Sequence, residues 1–161
     1  MLKKINQIKI ENNMATRSVI AKLDSKTKKI KAVYCHNDGY LAHNGCILDS
    51  YYQDESKVDE LLKHGDVSTL DENIGKKINF DDFELRHKNK QCLFYARDRG
   101  EGKRKDPAIL EDDIALVEFA DESCDAQFIY MYAFGAWYVY DFKAPYQFKE
   151  LDDVLSKVYK D

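Results

Sequence analysis

Residues 127–142, QFIYMYAFGAWYVYDF, constrain this chain more than any other stretch. Two aromatic, alternating runs, 128–132 and 137–142, flank Ala133-Phe134-Gly135-Ala136. Aromatic residues favour strands, and a short linker containing Gly135 supplies the positive φ that a tight hairpin turn requires. The stretch therefore predicts a β-hairpin. More than half of the aromatic residues lie between Phe119 and Tyr159, which places the heaviest part of the core around it. Pro145 stops the second strand. Beyond it Phe148, Leu151, Val154, Leu155 and Val158 recur at helical spacing, with acids ahead of bases, and predict a closing amphipathic helix.

The first half repeats the hairpin logic in milder form. Val19, Ala21 and Leu23 alternate, then Ile30, Ala32 and Tyr34, joined through Asp24-Ser25-Lys26-Thr27. Asp38-Gly39 breaks the second strand. Leu41, Ile47, Leu48, Tyr51 and Tyr52 predict a helix over residues 40–52, weakened in its first turn by Asn44-Gly45. Asp54 reads as the N-cap of another helix carrying Val58, Leu61 and Leu62 and ending at Gly65. Thr69-Leu70-Asp71-Glu72 has capping-box spacing and predicts a helical turn over 70–74; residues 79–89 read as a charged loop. Residues 91–97 alternate as a strand covered on both sides, and 109–120 fit either a short helix or an edge strand. The sum is an α+β fold: a mostly antiparallel sheet of about five strands with helices on one face.

At 161 residues the chain suits one domain over residues 14–161. Residues 1–13 read as a disordered arm, or as a non-native extension upstream of a start at Met14. The net charge of −4 gives no general attraction to nucleic acid or anionic membrane. No apolar run approaches the ~18 residues of a membrane span, and no signal-peptide pattern is present. The expected location is the cytoplasm. Cys35, Cys46, Cys92 and Cys124 are scattered among apolar residues and read as buried thiols.

Two clusters carry chemistry. Between Lys31 and Ile47, metal-capable Cys35, His36, Asp38, His43 and Cys46 gather at a strand-to-helix junction. Their spacing fits no zinc signature, so no metal and no cofactor are assigned. Adjacent strand residues point to opposite faces, so Cys35 and His36 do not form a nucleophile–base pair. The simplest account is a core cysteine and a hydrogen-bonded turn. The second cluster, Arg97-Asp98-Arg99-Gly100-Glu101, opens a loop with further bases at Lys103, Arg104 and Lys105. From a strand end, Arg97 and Arg99 would project together and suit a phosphate or carboxylate; the plainer account is internal pairing to nearby acids. Were both clusters to share one sheet edge, His36, Asp38, Tyr40, Arg97, Arg99 and Glu101 would form a single polar ligand-binding pocket. Tyr130, Tyr132, Tyr138 and Tyr140 suggest a base-stacking platform, but no Lys or Arg lies between Cys124 and Phe142, so nucleic acid is not the expected partner.

Met14-Ala15-Thr16-Arg17-Ser18, the segment Tyr34-Cys35-His36-Asn37-Asp38-Gly39-Tyr40, Gly65-Asp66-Val67-Ser68-Thr69-Leu70, and Tyr95-Ala96-Arg97-Asp98-Arg99-Gly100-Glu101 together resemble a group of small uncharacterised proteins encoded by tailed bacteriophages. The resemblance spans Met14 to the hairpin at Trp137. Those proteins commonly carry Trp where this chain has Asn37. The resemblance implies Met14 as the start and a phage setting, and transfers no catalytic residue. The expectation is an accessory protein that binds a host protein or an anionic, phosphorylated small molecule, with a host-defence or host-takeover role. The alternative is an enzyme acting on a nucleotide or phosphate ester, with His36 as general acid/base.

Overall fold

A computed structural model of the chain describes residues 16–159, so the expected arm over 1–13 and the start at Met14 lie outside the described residues. The fold is α+β. Strands β1 (Ser18–Leu23) and β2 (Ile30–Cys35) form the first hairpin, its turn held by the Asp24 carboxylate, which accepts from the N–H groups of Lys26 and Thr27. After a π-helical turn over Leu41–Gly45 come α1 (Cys46–Tyr51) and α2 (Glu55–Lys63). The π-helical turn falls where Asn44-Gly45 weakens the helix start. Asp54 caps α2 by accepting from the Ser56 N–H, as its position predicts.

Strand β3 (Val67–Thr69), helix α3 (Phe83–Asn89), strand β4 (Leu93–Phe94) and helix α4 (Tyr95–Arg99) follow. Then come β5 (Ala108–Leu110) and α5 (Asp113–Glu118), so the undecided 109–120 segment holds both a strand and a helix. The aromatic hairpin is β6 (Phe128–Ala133) and β7 (Ala136–Asp141), turning at Phe134 and Gly135, which both have positive φ. A short β8 (Lys149–Glu150) leads into α6 (Leu151–Val158).

The sheet has eight strands in the order β4-β3-β2-β1-β6-β7-β8, with β5 joined to β2. It is mostly antiparallel, as expected, with β1–β2, β2–β5, β3–β4, β6–β7 and β7–β8 all antiparallel, but it is a mixed sheet of more than five strands: β1 runs parallel to β6, and β2 parallel to β3. Helices cover both faces, not one. Ile20, Val33, Tyr130 and Trp137 pack with Leu48, Val58, Leu61 and Leu155 under α1, α2 and α6; Val19, Ala21, Ala32, Ile129 and Met131 pack with Leu116 and Ala120 beneath α5. Both faces are apolar because the central strands carry hydrophobic residues at odd and even positions alike. Polar tips of buried rings fasten the layers. Tyr130 Oη donates to the Gly39 carbonyl at 2.6 Å, Trp137 Nε1 to Tyr52 O at 2.9 Å, and Tyr52 Oη to Asp71 O at 2.7 Å.

Three local expectations fail for identifiable reasons. Residues 70–74 form no helical turn; Asn73 instead bridges Gln91 in the sheet direction. The charged stretch 79–89 contains α3, capped by Asp82, which accepts from the Leu85 N–H, and anchored by the buried Arg86 on Asp71 at 3.1 Å. The strand expected over 91–97 ends at Phe94, because the Asp98 carboxylate reaches back to accept from the Phe94 N–H at 2.8 Å and starts α4. No helix among the described residues is long and apolar enough to cross a membrane.

Candidate functional site

The site is built where β1 begins and β2 ends. Past Cys35, His36 N and Asn37 N donate to Val67 O and Ser68 O, so the β2–β3 pairing continues into the turn. Asp38 takes a positive φ of 55°, a conformation that its short polar side chain tolerates. Gly39 N then donates to Thr16 O at 2.9 Å. The buried Asn44 amide donates to Ser18 Oγ at 3.2 Å and Cys35 Sγ at 3.3 Å, and its oxygen meets His43 Nδ1 at 2.8 Å. These bonds fix the turn against β1.

On the α5 side of the sheet, four segments far apart in sequence meet. Arg17 Nε donates to Tyr34 Oη at 3.1 Å, and Tyr34 Oη lies 2.6 Å from His36 Nδ1. Asp66 is their hub: its carboxylate accepts from the Tyr34 N–H at 3.1 Å and from Arg104 Nε at 3.2 Å, and its backbone accepts from Tyr95 N and donates to Arg104 O. The Arg104 guanidinium stacks on the Tyr95 ring at 3.8 Å, lies 5.7 Å over Tyr34, and approaches Glu101 at 3.8 Å. Gly65, at φ +78°, makes this approach possible, since a Cβ there would overlap the Arg104 and Lys105 carbonyl oxygens.

Between this cluster and the segment after α5 lies an open cleft of about 470 Å³, with Arg17, Tyr34, Asp66 and Arg104 on one wall and Phe119, Glu122 and Asp125 on the other. Arg17 spans it through an exposed ion pair to Asp125 at 3.2 Å. Burial first, then the charges of Arg17 and Arg104, lower the pKa of His36 below its ordinary 6.5, so the ring is neutral at pH 7. Burial raises the pKa of Tyr34, against the opposing pull of Arg17. A neutral imidazole accepting from a phenol that itself accepts from a guanidinium satisfies all three groups.

The residues singled out from the sequence are distributed unevenly around this cleft. His36 joins it through Tyr34, and Glu101 through Arg104. Burial, followed by the charge of the nearby Asp38, raises the Tyr40 pKa. The Tyr40 ring lies against His43, with centroids 6.2 Å apart. Arg97 and Arg99 are not paired on a strand end; α4 sends them apart. Arg97 donates to the carbonyls of Ile74, Gly75 and Cys92 and to Asp98, and its side chain is 12% exposed. Arg99 is half-exposed, pairs with Glu101, and lies over Phe80 and Tyr95.

Arg17, Tyr34, Asp66 and Arg104 are the cleft residues that sequence reasoning did not select. Their types gave no signal in isolation, and only the tertiary meeting of β1, β2, β3 and the loop after α4 reveals them. No group of three or more metal-capable side chains is arranged as ligands among the described residues. Burial pushes the Cys35 thiol up to about 12, so it carries no thiolate at neutral pH. No family model, curated protein or solved structure matches the chain.

Proposed function

We propose that the protein acts by binding, as a small cytosolic accessory protein of the phage type, and that the cleft bounded by Arg17, Tyr34 and Arg104 receives an anionic group. That group belongs to a host protein or to a phosphorylated small molecule. The observation that carries this reading is the exposed Arg17–Asp125 pair across the mouth of the cleft. Exposed pairs contribute only about 0–1 kcal/mol, so an incoming phosphate or carboxylate exchanges for Asp125 at little cost. Arg17 remains oriented by Tyr34 during the exchange, and the resemblance to phage proteins supports the accessory role.

Arg17→Gln tests this. Capture of host proteins from lysate and retention of small-molecule adducts should both fall at least about tenfold, a loss of ~1.4 kcal/mol, with the fold intact by circular dichroism. Partner or adduct recovery equal to wild type would overturn the proposal.

A second reading, a nucleotide or phosphate-ester enzyme with His36 as general acid/base, is favoured by the 2.6 Å Tyr34–His36 hydrogen bond beside two guanidinium groups. Turnover of a nucleotide panel that is lost in His36→Ala would select it over simple binding.

A further inference from the structure

Helix α5 buries Leu116 on the sheet and leaves its other apolar residues outside: Ile114 is 67% exposed and Val117 half-buried. Across an open groove of about 490 Å³ they face Tyr140 of β7 and, in the chain beyond it, Tyr146 and Phe148. Tyr146 is 93% exposed and takes a φ of +107°, a backbone region that bulky side chains seldom occupy. A strained backbone here holds an aromatic ring out in solvent at the groove's rim. Apolar side chains gathered in a groove with a polar rim mark an interaction surface.

The charge on this surface has one sign. Residues 111–125 carry seven acids and no Lys, Arg or His. Lys29 pairs with Glu111 at 3.6 Å and Arg17 with Asp125 at 3.2 Å, whereas Asp112, Asp113, Glu118, Asp121 and Glu122 have no ion pair among the described residues. Asp113 and Glu118 line the groove itself, and no basic side chain does. In the facing segment from Tyr140 to Phe148, Lys143 is offset by Asp141. The groove therefore keeps an acidic excess after its neighbours are counted.

We infer that this groove receives a basic amphipathic helix of a partner protein. Apolar side chains one turn apart on that helix pack against Ile114, Val117 and Tyr146, and its Lys or Arg residues lie beside Asp113 and Glu118. An added strand fits less well, because the outer edge of β7 is taken: Val139 pairs with Lys149, and Ala144 N donates to Asp141 O at 3.0 Å. Side chains line the groove, and a helix offers side chains while satisfying its own backbone groups. The same carboxylates repel nucleic acid and anionic membrane. The groove is distinct from the cleft at Arg17, which the segment after α5 lines.

The test is fluorescence-anisotropy titration of the full chain with a labelled Leu/Lys amphipathic peptide and with its Leu/Glu counterpart. Expected is saturable one-to-one binding of the Leu/Lys peptide only. Ile114→Ser, at an exposed position that leaves the fold intact, should weaken it at least about fivefold. Asp113→Asn with Glu118→Gln should weaken it most at low salt and flatten its salt dependence. Phe134→Ser, at an exposed aromatic residue in the β6–β7 turn, and Arg17→Gln should both bind as wild type does, which separates the groove from general stickiness and from the cleft. Unchanged affinity in Ile114→Ser, an equal loss in Phe134→Ser, equal binding of the Leu/Glu peptide, or a dimer of the chain alone that Ile114→Ser dissolves would each overturn the inference.

Discussion

Arg97→Ala should destabilise the protein strongly, although the residue sits in a segment that reads as a charged loop. The side chain makes four hydrogen bonds, to Ile74 O at 3.1 Å, Gly75 O at 2.9 Å, Cys92 O at 3.2 Å and Asp98 Oδ1 at 2.9 Å. Its guanidinium also covers the Phe94 ring at 4.6 Å. Truncation removes all of these and leaves the Asp98 carboxylate, which is 0% exposed, without its counter-charge. Two backbone donors, Ile78 N and Phe94 N, still hold that carboxylate. Breaking a buried pair by removing one partner costs roughly 3–5 kcal/mol, and the surviving N–H donors put this case near the lower end. At roughly 2–4 °C per kcal/mol for a chain of this size, the melting temperature falls by about 6–12 °C. Arg99→Ala, two residues on, removes a half-exposed pair with Glu101 and partly solvated contacts over Phe80 and Tyr95, and should cost only about 1–2 kcal/mol. Urea denaturation of both variants measures the difference. Equal, small shifts for the two would refute the assignment of Arg97 as the fastener of the 74–78 loop.

Three further outcomes follow from the same geometry. Gly65→Ala should cost roughly 2 kcal/mol or more by thermal denaturation, since a Cβ at φ +78° overlaps the Arg104 carbonyl, and should also weaken any ligand held by Arg104. Tyr52→Phe should cost about 1 kcal/mol by removing the hydrogen bond to Asp71 O at 2.7 Å. Burial lowers the pKa of His36 and of His64, so below 6.5 the unfolded chain takes up protons before the folded one; stability is full above that value and declines as pH falls through the window beneath it. Chemical denaturation at a series of pH values should show that decline, and His36→Gln should make it shallower; an unchanged slope would contradict the neutral His36 assigned here.

What was legible in the sequence is what depends on local pattern. The β6–β7 and β1–β2 hairpins, the Asp54 cap and the stop at Gly65 all follow from residues within a few positions of each other. The parallel β1–β6 pairing joins residues more than a hundred positions apart, and nothing in either strand's periodicity names its neighbour. Helix α3 was hidden because the one residue it buries is an arginine, held by Asp71, so no apolar stripe marks it. Helix α4 was hidden by an alternating run that Asp98 interrupts from beyond its end. The same limit applies to the site. His36 was visible as an unusual residue in a turn, whereas Arg17, Tyr34, Asp66 and Arg104 are ordinary residues made into a cluster by tertiary contact. Arg97 and Arg99 pair up only on a strand, which aligns alternate residues as a helix does not.

The claim that the Arg17–Tyr34–Arg104 cleft is where this protein binds is tested most directly by native mass spectrometry. Wild type and Arg17→Gln would be purified gently from expressing cells, and the intact native mass of each compared with its denatured mass. The account predicts an added mass on wild type, from a phosphorylated small molecule or a host protein, that is lost or sharply reduced on the variant. The same addition on both proteins, or none on wild type together with no host protein captured, would contradict it.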